Sequence, residues 1–189
     1  MGQGGAVRWT TRRPNAIGPL LAMALLAGSG AAPAAAEDLE WQNKAPGSAG
    51  FSVDLPGFVV FSKKNPDPDT YRKSWGYITF TPDEKAMIVV SANLYLDDVA
   101  AGLDLEDELN AAIARTVGHC AGTHETTPLA VDRGHAATLS GHCDDPEADY
   151  RTLLWITDAA SYRLTVSGTK AAVTGTVADA VFSSFRLTD

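Results

Sequence analysis

Cysteine is scarce in this chain: 189 residues contain two, Cys120 and Cys143. Neither lies near the N-terminal region, so lipid attachment at a processed terminus has no acceptor residue there. Long apolar runs are missing as well. The run from Ala16 to Ala27 is about a dozen residues, short of the roughly 20 that a bilayer-spanning helix needs. Positive charge is in deficit, with 15 Lys and Arg against 23 Asp and Glu, a formal charge of −8. Nucleic acid and anionic membrane would both be repelled before contact, which argues against either as a partner. Catalytic signatures are absent too. There is no G-x-S-x-G, no H-E-x-x-H, no Walker A loop and no dinucleotide-binding glycine fingerprint. These absences lower the expectation of an enzyme and leave binding as the leading class of function.

What is present begins with a leader. Arg8, Arg12 and Arg13 precede the apolar run, and Ala34-Ala35-Ala36 closes it, which is the pattern of a secretory signal peptide over residues 1–36. Arg12-Arg13 is followed by Pro14-Asn15-Ala16, without the bulky apolar residues of a twin-arginine signal. Cleavage after Ala36 would remove three of the 15 basic residues and none of the 23 acidic ones, leaving 12 against 23, a charge of −11. The remaining length fits one domain with a substantial core, expected in the periplasm or outside the cell. There, two cysteines pair more often than not.

Residues 37–49 lack periodicity and read as a flexible tether, with Trp41 pinning it. The single α/β domain is expected over 50–189. Phe51–Leu55 alternates like a half-buried strand, Pro56-Gly57 turns, and Phe58–Phe61 forms a short second strand. Lys63–Thr70, with two prolines, is a loop. Asp67 and Asp69 lack EF-hand spacing, so the loop carries no metal expectation. Trp75–Thr81 and Ala86–Leu96 are strands. In the second, Ile88, Val90, Ala92, Leu94 and Leu96 share one face and Met87, Val89 and Tyr95 the other, so both faces call for cover. Asp104 caps a helix to Val117, whose first-turn carboxylates Glu106, Asp107 and Glu108 compensate the dipole. Strands follow at Thr127–Val131, His135–Cys143, Tyr150–Thr157 and Ser161–Gly168. A last helix over Thr176–Phe185 carries Val177, Ala180, Val181 and Ser184 on one side, with Phe182 and Phe185 as its anchors. The fold class is α+β, a mostly antiparallel sheet flanked by helices.

The stretch from His119 to Cys143 repeats Gly-His-Cys at 118–120 and 141–143 and holds all four histidines. A hairpin loop at Asp132-Arg133-Gly134 would pair Leu129 with Ala137, His124 with His142, and Thr123 with Cys143. On that register Leu129, Val131, Ala137, Leu139 and Cys143 face the core. Three readings compete. A Cys120–Cys143 disulfide would tie helix to sheet. A copper or zinc site would use His124 and His142 across the strand pair, with His119 or nearby acids. A Cys-His nucleophile would need a reduced thiol, which an oxidising compartment opposes. The acidic turn Asp144–Asp149 reads as a solvated loop.

Phe51-Ser52-Val53-Asp54-Leu55-Pro56-Gly57-Phe58 resembles the opening of PsbP-like domains, and Phe182-Ser183-Ser184-Phe185-Arg186 resembles their terminal helix. PsbP is an extrinsic subunit of the photosynthetic oxygen-evolving complex, and a small nuclear Ran-binding protein shares its fold. The resemblance implies an α/β/α sandwich over residues 50–187. It also implies action by binding other proteins, with no catalytic residue or cofactor to carry over. The Gly-His-Cys pair is not part of that pattern. The reading is an exported, non-enzymatic domain that engages another protein of the cell envelope. A copper or zinc protein and an enzyme of unrecognised type are the alternatives.

Overall fold

The computed structural model describes residues 39–62 and 67–188. The leader read over 1–36 and Lys63–Pro66 of the proline-rich loop lie outside the described residues. The chain runs β1 (Trp41–Lys44), β2 (Phe51–Pro56), β3 (Val60–Phe61), β4 (Tyr71–Phe80) and β5 (Ala86–Tyr95). Two helices follow, α1 (Asp97–Ala101) and α2 (Leu105–Gly118). Then come β6 (Gly122–Leu129), β7 (His135–Asp144), β8 (Glu147–Ile156) and β9 (Ala160–Gly168). The chain closes with α3 (Lys170–Val173), α4 (Thr176–Ser184) and β10 (Arg186–Leu187).

Seven strands form one sheet in the order β3-β4-β5-β9-β8-β7-β6, with every pair antiparallel. A small sheet, β1-β2-β10, lies across one face of it together with α3 and α4. Between them Phe51, Val53 and Leu55 of β2 meet Ile88, Val90, Ala92, Leu164 and Val166 of the large sheet. Alternate residues of β5 and β9 supply that core, as a two-residue period requires. Thr79 Oγ1 of the large sheet donates to the Pro56 carbonyl of β2 at 2.6 Å, sewing the layers together, and within the second layer the Asp54 amide donates to Ser184 Oγ of α4 at 3.0 Å. The opposite face carries α2, which packs Leu109 against Ala137, Leu139, Tyr150, Leu154 and Ile156. Asp104 caps α2 as expected, its carboxylate accepting from the Glu106 and Asp107 amides at 3.0 Å each.

Three expectations are corrected. Residues 41–44 are not tether but strand, pairing Trp41 with Pro56 and Lys44 with Val53. A polar four-residue edge strand has no apolar alternation of its own and is held by its partner's ladder. In α4 the buried positions are Ala178 and Val181, followed by Phe185, rather than Val177, Ala180 and Ser184. The third concerns the hairpin. Leu129 pairs with Ala136, one residue off the expected register. The loop is fixed from outside: Trp155 Nε1 of β8 donates to the Arg133 carbonyl at 2.8 Å. Gly134 adopts a left-handed φ of 73° against the end of β8, where a Cβ would come within 2.0 Å of the Ile156 carbonyl oxygen. Contacts with β8, not the hairpin's own turn chemistry, set the count.

Candidate functional site

The Gly-His-Cys window resolves into a staple and, among its four histidines, three metal candidates that stand apart. Cys120 and Cys143 are bonded, with a Cα–Cα distance of 5.0 Å and a sequence separation of 23. The bridge joins the residue after the α2 C-cap, His119, to β7, and it packs into the cluster beneath α2. Both thiols are consumed, so neither is a free nucleophile.

The one-residue shift in register moves every β6 side chain to the other face. His142 lies opposite Thr123, and His124 opposite Gly141, so the two imidazoles point to opposite sides of the sheet. The expected facing pair is therefore not formed. His142 instead sits beside carboxylates, Nδ1 at 3.5 Å from Asp149 Oδ1 and Nε2 at 3.9 Å from Asp144 Oδ1. His124 is exposed on the edge strand. His119 borders the cleft under α2. Among the described residues no group of three or more His, Cys, Asp or Glu side chains is placed to hold a metal ion.

Two other features belong to the α2 face of the large sheet. The first is a cleft of about 260 Å³ between the exposed side of α2 and the centre of the sheet. Its floor is polar: Ser91 and Asn93 of β5, Ser161 and Arg163 of β9. Ser74 Oγ donates to Asn93 Oδ1 at 2.6 Å, and Asn93 Nδ2 to Ser161 Oγ at 3.4 Å. On the helix side Arg115 and Glu108 are paired at 2.7 Å. Tyr71 lines one end, its ring centroid 5.4 Å from that of the buried Tyr95. Burial raises the pKa of both phenols, and the nearby Glu108 carboxylate raises them further.

The second feature is an apolar surface where α2 does not reach and which no other described residues cover. Val60 lies opposite Ile78, Ile78 opposite Val89, and Phe80 opposite Met87. Directly paired residues share a face, so these five side chains form one patch over β3, β4 and β5. Val60, Phe80 and Met87 are 48, 51 and 37 % exposed. Phe61 is exposed too, but it pairs with Tyr77 and so lies on the opposite face. Sequence patterning sees that Met87 and Val89 want cover, but not that none arrives. Arg163 and the polar floor went unnoticed, although Ser161, Arg163, Thr165 and Ser167 alternate as a polar stripe on a strand whose other positions are apolar. Such a stripe on a central strand marks a place where the covering layer is not packed dry.

Among the described residues no helix is long and apolar enough to cross a membrane. No protein-family model matches the sequence, and no curated protein matches it. Among solved structures, the chain is similar to cyanobacterial PsbP (CyanoP) from Synechocystis sp. PCC 6803. Identity is 11%, the match covers 85% of this chain and 99% of that one, and the TM-score is 0.53. At that identity the likeness speaks to architecture, and the architecture is a PsbP-like α+β fold.

Proposed function

We propose that the protein is an exported, non-catalytic domain that engages a partner protein of the cell envelope through the apolar face over β3, β4 and β5. The observation that carries this is the contiguous set Val60, Ile78, Phe80, Met87 and Val89, left without cover among the described residues. Contiguous exposed apolar patches on soluble domains mark interaction surfaces. The occupant is a folded protein with an apolar centre and a basic rim, because this chain carries an excess of acids, 23 against 15. Opposite charge around an apolar centre steers encounter and sets register.

Placing a photo-crosslinking amino acid at position 80, with position 106 on the outer side of α2 as control, tests the reading in the native envelope. The expected result is one discrete hetero-adduct from position 80 alone. A Met87→Asp change should weaken it by about tenfold or more, the loss typical of a central interface contact. Surface substitutions of this kind alter stability by about 0.5 kcal/mol or less, so the loss would not reflect unfolding. An adduct of twice the chain's own mass, or none specific to position 80, overturns the proposal. So does measurable turnover of a substrate by the purified protein.

A further inference from the structure

The apolar face leaves the polar cleft beside α2 without a task. Its cationic groups are Arg115 and Arg163. Arg72 pairs with Asp97, Arg115 with Glu108, and Arg151 with Asp179. Arg163 has no carboxylate among the described residues; its side-chain bond is Nε to Thr165 Oγ1 at 3.1 Å. That leaves the outer edge of the guanidinium fork, the edge that meets carboxylates in bidentate fashion, open to a ligand. Beside it lie the Ser91 and Ser161 hydroxyls and an Asn93 amide whose contact to Ser161 is long, 3.4 Å, so these groups keep hydrogen-bonding capacity for a ligand.

We infer that this cleft binds a small hydroxycarboxylate. Arg163 takes the carboxylate, and Asn93 and Ser161 take the hydroxyl groups. The volume of about 260 Å³ falls just below the roughly 300 Å³ at which drug-sized sites begin, so the ligand is a few carbons long. Glu108 and Arg115 cancel, leaving one unpaired positive charge, which suits a monoanion rather than phosphate or a dicarboxylate. The walls contributed by Ala112, Leu154 and Ile156 accommodate the carbon chain.

The probe is D-glycerate, titrated into the ¹⁵N-labelled protein and followed by amide shifts, with glycerol and orthophosphate as comparators. Saturable shifts at Ser91, Asn93, Ser161 and Arg163 with glycerate, and none with glycerol, are expected. Arg163→Gln should weaken binding by about tenfold or more, the loss expected of one charge-assisted bond. Ser161→Ala supplies an independent reading: the free protein should still melt cooperatively while glycerate binds several-fold more weakly. The inference falls if glycerate gives no saturable shift or binds Arg163→Gln as well as wild type. It falls equally if orthophosphate binds as tightly, or if Ser161→Ala leaves affinity unchanged. None of these results bears on the crosslink from position 80.

Discussion

A Cβ added at Gly118 would meet nothing within 4 Å, whereas one added at Gly141 would lie 2.2 Å from the Thr123 carbonyl oxygen and 2.9 Å from Tyr150 Oη. The first position ends a helix with open space around it; the second sits where β6 and the Tyr150 ring both approach the β7 backbone. The two Gly-His-Cys triplets are thus equal as strings and unequal as environments. Gly118→Ala should leave stability unchanged or raise it by up to about 1 kcal/mol, since alanine is the better helix former. Gly141→Ala should lower it by about 1–3 kcal/mol, because the nearest obstacle is a ladder carbonyl that cannot swing aside. Thermal melts of the two variants check this. At roughly 2–4 °C per kcal/mol for a chain of this size, they should separate clearly from each other. Equal melting temperatures would mean that β6 does not lie on β7 in the observed register.

The link between α2 and β7 is the element-scale counterpart. With its ends 23 positions apart in sequence, the Cys120–Cys143 bridge removes unfolded-state entropy worth about 3 kcal/mol on the chain-entropy model. The Cys120→Ser/Cys143→Ser variant should therefore lose about that much in urea unfolding, and intact-mass measurement of the non-reduced protein should find no free thiol. That bridge was legible in the sequence because it depends on two residues and a compartment. The Asp104 cap and the strands β5, β7, β8 and β9 were legible because alternation and capping are local. The facing histidines were misread for a non-local reason. Their register is decided by Trp155 and Ile156 of β8 gripping Arg133 and Gly134, and no window around the hairpin contains those contacts. The strand β1 escaped notice for a related cause: Trp41-Gln42-Asn43-Lys44 carries no pattern, and only its pairing to β2 orders it.

For the whole molecule, the governing mismatch is one of size. A seven-stranded sheet spans roughly 29 Å at 4.8 Å per strand, while one helix with its side chains is roughly 10 Å wide. So α2 covers β7 and β8, leaves a polar cleft toward β9 and β5, and leaves β3 and β4 bare. The two cores nevertheless respond together to one perturbation, alkali. All five tyrosines have pKa values raised above the ordinary 10.0, each chiefly by burial. Tyr71, Tyr95 and Tyr150 belong to the α2 face, while Tyr77 and Tyr162 pack on the β2 side. Folding holds these phenols neutral where the unfolded chain would ionise them. Above pH 10 the unfolded state binds fewer protons than the folded one, so stability is fully present below that pH and falls as pH rises through it. The expected outcome is a urea midpoint that is steady up to about pH 10 and drops beyond it. Phenolate absorbance should rise with unfolding rather than ahead of it, and Tyr95→Phe, which deletes the most deeply buried phenol, should shallow the drop. Complete phenolate formation near pH 10 with the fold intact would show instead that these hydroxyls reach solvent, and with them the floor of the cleft.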